Sequence, residues 1–286
     1  MTLNKRTKGF LLLAFFLFLL LGGACGSESE EAFFQKANAH FLKGSPEKAI
    51  QVYRDYRDRF PQGRFRDAAL LREGEILYYV LGKKVASVEV FGQLALSFPN
   101  TRCGLRAREI LAGMYRDESA DYMRAVVEYQ WLLTHCPNSS KADEYHYQIA
   151  HCLFFANKFD QAISEYKRFI ESYPESRFIE RAYDELGSAY VVLRKPETAL
   201  SVFKTAIEKF PESSLRPTFE FKVAECYEVM DLLDKALAQY QHVRKMYDNW
   251  PAVDIRIKGV ESRLKEKQGP ARYKVKKRRP RAAGRR

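Results

Sequence analysis

The chain has 286 residues and a formal net charge of +12. The first 25 residues carry +3 and residues 269–286 carry +9, so residues 26–268 are neutral as a whole. The charge excess therefore belongs to the two ends, which excludes a basic folded domain that would bind nucleic acid through its overall charge.

The N-terminus has the pattern of an export signal. Three basic residues precede an apolar run from Phe10 to Leu21, which is shorter than the about 20 apolar residues that a membrane-spanning helix needs. Small residues at 22–24 then precede Cys25, an arrangement that resembles the lipobox of bacterial lipoproteins. The resemblance implies cleavage before Cys25, acylation of that residue and, because Gly26 is not Asp, sorting to the outer membrane. The alternatives are an ordinary signal peptide cleaved near Ala24 and an uncleaved anchor.

The body of the chain repeats with a period of 37 to 38 residues. Six times a small residue is followed four positions later by an aromatic residue and, eight positions after that, by a stop that is proline in five cases. A period in this range with helical spacing predicts a solenoid of helix pairs. The steps are Ala49–Tyr53–Pro61, Ser87–Phe91–Pro99, Ala125–Tyr129–Pro137, Ala162–Tyr166–Pro174, Ala199–Phe203–Pro211 and Ala236–Tyr240–Asp248.

The fifth repeat shows the role of each position most clearly. Gly187 is expected where two antiparallel helices cross closely, with Phe203 filling the space beside it, and Pro211 ends the second helix. This pattern resembles the tetratricopeptide family over roughly residues 30 to 250. The resemblance implies an all-α, right-handed α-solenoid of about six tetratricopeptide-like helix pairs, followed by a capping helix. The third repeat fits only if the turn at 117–121 has one extra residue.

The chain therefore divides into five predicted segments. They are a lipoprotein signal peptide (1–24), a lipidated linker (25–30), the repeat solenoid (31–250), a capping helix (251–268) and a basic disordered tail (269–286). The tail contains nine basic residues and no acidic one, so it is suited to lipopolysaccharide, phospholipid headgroups or peptidoglycan. The alternative is a solubilising tail without a ligand. The residues assigned to polyanion binding are Lys276, Lys277, Arg278, Arg279 and Arg281.

Neither catalysis nor metal binding is indicated. No phosphate-binding glycine loop, nucleophile elbow or paired-carboxylate site occurs, so we predict no enzyme, no catalytic residue and no cofactor. His146 and His151 would diverge by roughly 140° on a helix, which argues against a shared metal ion. Cys103 and Cys136 lie at neighbouring ends of the third helix pair and are the one disulfide that this topology favours; the alternative is four buried thiols.

In tetratricopeptide stacks the first helix of each pair lines the concave side, so the resemblance also implies a partner-binding groove. The groove positions carried over to this sequence form an aromatic and basic surface, suited to a peptide with some acidic residues. For each residue the alternative is packing against neighbouring helices. The groove set comprises Phe34, Phe41, Arg72, Tyr79, Arg106, Arg116, Tyr147, His151, Phe154 and Phe221.

The lipobox, about six repeats and a recurrent aromatic-Pro-x-Ser ending resemble the BamD-type outer-membrane assembly lipoproteins. The chain is also similar to the repeat domain of Tol–Pal-associated periplasmic proteins. The sixth repeat and the basic tail depart from the BamD pattern. The resemblance implies a periplasmic, lipid-anchored scaffold that binds envelope proteins, with β-barrel assembly components among the candidates and no nucleic acid. The alternative is an envelope tether whose tail binds peptidoglycan or lipopolysaccharide while the repeats recruit another protein.

Overall fold

A computed structural model describes residues 29–246 and 249–268 of the chain. The predicted signal peptide, Cys25, the sixth stop at Asp248 and the basic tail lie outside the described residues. Within them the structure consists of 13 α-helices and contains no strand, which confirms the predicted all-α class.

The helices form six pairs and a final single helix, as the repeat pattern predicted. In chain order they are α1 (Glu30–Leu42), α2 (Pro46–Arg59), α3 (Arg66–Glu75), α4 (Lys84–Ser97), α5 (Arg102–Asp117), α6 (Tyr122–His135), α7 (Ala142–Phe155), α8 (Phe159–Ser172), α9 (Ile179–Val192), α10 (Pro196–Lys209), α11 (Arg216–Val229), α12 (Leu233–Val243) and α13 (Trp250–Gln268). A π-helical turn, Ile76–Val80, continues α3. None of these described helices is long and apolar enough to cross a membrane.

Short turns join the two helices of each pair. Five of these turns have three residues, whereas residues 118–121 form a four-residue turn in the third pair. This is the extra residue that the sequence predicted. Each turn contains one residue with positive φ, which reverses the chain direction, and glycine occupies that place only twice, at Gly44 (72°) and Gly82 (61°).

The five prolines that follow the second helices end those helices, as predicted. For example, α2 ends at Arg59, and Phe60, the residue before Pro61, has left the helical region with φ −120° and ψ 73°. The residue before a proline is pushed out of helical angles because the proline ring collides with its backbone. The residues before the other four prolines have similar angles.

Two glycines allow the first helix of a pair to approach an aromatic ring on the second. A Cβ atom placed on Gly187 would lie 2.3 Å from Cε1 of Phe203, and one on Gly74 would lie 2.5 Å from Cε1 of Phe91. Both rings are fully buried, so they have no room to move away. The packing predicted for Gly187 and Phe203 is therefore present, and the same arrangement recurs at Gly74.

The described chain divides into two compact units, the first ending at Leu111 and the second beginning at Ala112. Within each unit consecutive helices pack against each other in the manner typical of a tetratricopeptide solenoid. The core of the first unit is built around the fully buried rings of Tyr53 and Tyr56. At the end of the second unit, α13 packs Val253 and Val260 against α11 and α12, as expected of a capping helix.

Candidate functional site

The first unit contains an open cavity of about 560 Å³. Three residues of the predicted groove set, Phe41, Arg72 and Tyr79, line it together. A volume of this size is typical of ligand-binding pockets, which range from about 300 to 1,000 Å³. The remaining lining residues are Gln35, Asn38, Leu42, Tyr53, Glu75, Ile76 and Val80.

The π-helical turn after α3 carries one wall of this cavity. It is closed by a hydrogen bond of 3.0 Å from the Leu81 backbone N–H to the carbonyl oxygen of Ile76, one residue longer than an α-helical bond. Ile76 is buried in the core, whereas Tyr79 is 61% exposed and Val80 is 51% exposed. Turns of this type occur frequently at functional sites. The turn therefore presents large apolar side chains that the core does not use.

A small number of polar groups lie among the apolar walls of the cavity. The Arg72 guanidinium pairs with Glu75 on the same helix, with Nη1 2.9 Å from Oε2. The Tyr53 hydroxyl donates a hydrogen bond of 2.6 Å to Oδ1 of Asn38. Burial raises the pKa of Tyr53, although nearby Arg72 opposes the shift, so this hydroxyl remains a donor at neutral pH. The cavity thus combines apolar walls with few polar groups, the composition of a peptide or small-ligand site.

In the second unit, two other residues of the groove set surround a carboxylate instead of an open space. Glu185 accepts hydrogen bonds from the Tyr147 hydroxyl (3.0 Å), from the Tyr166 hydroxyl and from Nδ1 of His151 (3.0 Å). Burial alone raises the pKa of Glu185, but these hydrogen bonds outweigh it and the pKa lies below its ordinary value. The carboxylate is therefore ionised at neutral pH and accepts hydrogen bonds from three side chains.

Tyr147 belongs to the core and does not face a partner. It is only 3% exposed, and its ring stacks on Phe178 with centroids 4.8 Å apart. The alternative of helix packing is correct at this position. His151 lies beside it, stacked at 5.7 Å, with its side chain 25% exposed.

The other residues of the groove set are separate from the cavity of the first unit. Phe34 stacks on Phe65 at 4.9 Å, and Phe221 packs on Tyr240 at 5.5 Å. Arg106 pairs with Glu109 on α5 at 3.1 Å. Two more have partners within the second unit: Arg116 binds Asp117 through two hydrogen bonds (2.6 and 2.7 Å), and Phe154 contacts Phe155 and Phe159 at 5.5 and 5.4 Å.

The four cysteines of the described residues are free thiols in this structure, and a Cys103–Cys136 disulfide stays a prediction. Burial raises the pKa of Cys103 to about 11 and that of Cys226 to about 11. These thiols are therefore protonated at neutral pH and pack as apolar side chains. The two histidines considered as metal ligands are also engaged elsewhere, since Nε2 of His146 lies 3.0 Å from Glu165 and His151 contacts Glu185.

Sequence reasoning missed several residues of both sites. Leu42 and Val80 directly follow the predicted groove residues Phe41 and Tyr79, and Leu42 precedes Val80 by 38 residues, the spacing between the first two stops. An apolar residue repeated at an exposed helix end was therefore an available signal. Glu185 had no such signal, because a single glutamate on a helix is ordinarily a solvated residue.

The fold defines the class of protein: a tetratricopeptide-type solenoid of helix pairs. Residues 31–63 and 144–176 match the tetratricopeptide repeat family model. No curated protein matches the sequence. Repeats of this kind typically form protein-interaction scaffolds and are typically not enzymes.

Two solved structures illustrate the similarity. A tetratricopeptide repeat protein from Parabacteroides merdae is 16% identical, with a TM-score of 0.51 over 85% of this chain and 88% of its own. The TPR-like repeats of a putative kinesin light chain from Podosopora anserina are 13% identical to this chain, with a TM-score of 0.50 over 64% of this chain and 96% of their own. At these identities the likeness concerns the fold alone.

Proposed function

We propose that this protein is a lipid-anchored scaffold that binds other proteins through the cavity of the first unit. The observation that carries the proposal is the open cavity in which Phe41, Arg72 and Tyr79 meet. Exposed aromatic residues and an arginine are the residue types that contribute most to protein–protein binding. Packing of the core does not account for the Tyr79 side chain, because it is 61% exposed.

The cellular setting of the proposal rests on sequence. The lipobox-like segment ending at Cys25 supports export and lipid anchoring, and Gly26 supports the outer membrane, with the protein facing the periplasm. The resemblance to BamD-type lipoproteins supports a role in envelope assembly, with β-barrel assembly components as candidate partners. Several acyl chains, at about 0.8 kcal/mol per buried CH₂, would make the anchoring effectively permanent.

Site-specific photo-crosslinking in intact cells tests the binding site. A photoreactive phenylalanine analogue at Tyr79 or Phe41 should capture a protein partner, because both side chains line the cavity. Gln93, which is exposed on α4 and does not line the cavity, is the matched control. Crosslinks at Gln93 equal to those at Tyr79 would contradict a site in the cavity. Recovery of assembly components from the Tyr79 adduct would support the assembly role.

The lipid anchor has its own test. Metabolic labelling with palmitate should mark the wild-type chain and not the Cys25→Ser variant. Labelling retained in Cys25→Ser would refute acylation at this residue.

The composition of residues 269–286 favours a second candidate function, that of an envelope tether. Nine basic residues without an acidic one suit peptidoglycan or lipopolysaccharide, at about 1 kcal/mol per residue near an anionic surface. Co-sedimentation with peptidoglycan sacculi that falls with salt and is lost on deletion of 269–286 would support the tether. Co-sedimentation unaffected by the deletion would refute it.

A further inference from the structure

One edge of the first unit presents large apolar side chains to solvent. This turn edge consists of Leu42, Lys43, Val80, Lys83 and Val85, which flank the turns inside the first two helix pairs. Leu42 is 83% exposed and Val85 is 78% exposed, so neither contributes appreciably to the core. The two turns are built on Gly44 and Gly82, around which no atom lies close enough to meet an added Cβ. The apolar residues therefore project at open tips of the fold.

The charges at the turn edge are mostly positive. Lys43, Lys83 and the following Lys84 are all exposed. In the first turns of α2 and α4, which begin at this edge, the one acidic residue is Glu47. The edge thus joins protruding apolar side chains to a local excess of cations.

The opposite edge of the same unit has a different character. There the loops after α2 and α4 satisfy their polar groups internally. The Arg64 backbone N–H donates to Glu30 at 3.0 Å, the Phe65 N–H donates to the Tyr56 hydroxyl at 3.1 Å, and the Gly104 N–H donates to Thr101 Oγ1 at 3.1 Å. Among the exposed large apolar residues of the first unit, Leu96 lies near this opposite edge, whereas Leu42, Val80 and Val85 lie together at the turn edge.

This combination decides between two classes of partner. Lysine is depleted in protein–protein interfaces, so three lysines around the apolar residues disfavour a protein partner. Apolar side chains that project next to lysines are suited to the interface of an anionic bilayer, where the apolar groups enter the headgroup boundary and the lysines contact lipid phosphates. We propose that the turn edge docks on an anionic lipid surface. Because Leu42 and Val80 also line the cavity, docking would bring the mouth of the cavity next to the bilayer.

Two tryptophan variants of the full chain test the docking. Val85 and Leu96 are each 78% exposed and lie on the same helix, about 16 Å apart along its axis. In vesicles containing phosphatidylglycerol and brominated phosphatidylcholine, Val85→Trp should add a blue-shifted, quenched emission to that of the wild type. Leu96→Trp should add an unquenched emission. The difference in quenching between the two variants shows which edge contacts the lipid. This conclusion does not depend on whether the N-terminal segment also binds the vesicle.

The lysines provide a second test. Replacing Lys43 and Lys83 by glutamine in the Val85→Trp chain should weaken edge docking by roughly 30-fold, because each lysine near an anionic surface contributes about 1 kcal/mol. Quenching should also fall at high salt and in vesicles without phosphatidylglycerol. Equal quenching at Val85→Trp and Leu96→Trp, or none at either, would overturn the proposal. A second result would also overturn it: unquenched tryptophan emission from Val85→Trp together with loss of partner crosslinks in a Val85→Asp variant. That result would identify the turn edge as a protein interface. The photo-crosslinking experiment at Tyr79 tests partner binding independently, so a failure of lipid docking would not contradict the proposed binding of a protein partner.

Discussion

The two units use the same position of the repeat in opposite ways. In the second unit, Glu185 lies two residues before Gly187 and receives hydrogen bonds from Tyr147 and His151 of the preceding helix pair. Lys222, at the same position of the next pair, contacts Asp184 at 2.5 Å and Ser188 at 2.9 Å. In the first unit, Arg72 lies two residues before Gly74 and pairs with Glu75 on its own helix.

This position stabilises the contact between helix pairs in the second unit, whereas in the first unit it borders the proposed binding site. Where the polar residue bonds to the preceding pair, as Glu185 and Lys222 do, it contributes to the packing between the pairs. At Arg72 the ion pair lies within one helix, and the side chain borders a cavity of about 560 Å³. Repeats that agree in their core can thus specialise at a single surface position.

The same change of tyrosine to alanine should separate the two units most strongly. Tyr147→Ala removes a buried ring and leaves Glu185 without one of its donors, so we expect a loss of about 3–5 kcal/mol of stability. Tyr79→Ala removes an exposed ring and should change stability by no more than about 0.5 kcal/mol, while reducing partner capture. Urea unfolding followed by circular dichroism measures both. Similar losses of stability would break the comparison.

Removal of the charged group at the shared position is the next test. Glu185→Ala leaves two tyrosine hydroxyls and His151 without their acceptor, for an expected cost of about 2–3 kcal/mol. Arg72→Ala removes an exposed ion pair within one helix and should cost less than about 0.5 kcal/mol. Glu185→Gln retains an acceptor and should fall between them. A stability loss in Arg72→Ala as large as that in Glu185→Ala would show that both positions serve cohesion.

Glycine substitutions test where the two units should agree, because the same close helix packing occurs in both cores and should respond to alanine with a similar loss of stability. Gly74→Ala and Gly187→Ala each place a Cβ within 2.5 Å of a buried ring, so both should lose about 1–3 kcal/mol. Gly113→Ala is the matched control, because its Cβ would meet nothing within 4 Å and alanine favours the helix by about 0.5–1 kcal/mol. Thermal unfolding midpoints should therefore fall for the first two and rise for the third. A neutral Gly74→Ala would mean that the first unit is packed less tightly.

Acid should weaken the second unit through Glu185, with the smallest of these effects. Folding lowers the pKa of Glu185 from its ordinary value of 4.5, because the hydrogen bonds from His151 and the two tyrosines outweigh burial. A carboxyl of this kind stabilises the fold above its unfolded pKa, and the contribution is lost as the pH falls through the folded pKa. Stability should therefore decline below about pH 4.5, and less steeply in Glu185→Gln. Parallel slopes for the two proteins in urea unfolding at successively lower pH would contradict this assignment.

Local chemistry explains where sequence prediction succeeded. The proline stops act on their immediate predecessors, so the end of α2 near Pro61 was predictable. The close approach of Gly187 to Phe203 followed from the repeat, because the same helix pair recurs with the same spacing. The extra residue in the turn at 118–121 followed from counting.

The candidate site was predictable only in part. Phe41, Arg72 and Tyr79 were expected to line a groove, and they do share one cavity. Tyr147 was expected there by the same argument, yet it is buried against Phe178. Periodicity assigns both tyrosines to the first helix of a pair but does not say what the neighbouring pair places against them.

The sequence by itself therefore determined the helix pairs, their turns and the charges at the two ends of the chain. These depend on backbone preferences and on a repeated pattern of small and aromatic residues, which are properties of neighbours along the chain. Only the tertiary structure decided which face of the repeats is open, because that depends on contacts between residues 34 to 38 positions apart, such as His151 and Tyr147 with Glu185. In the first unit Arg72 makes its ion pair within its own helix, and its side chain borders the cavity.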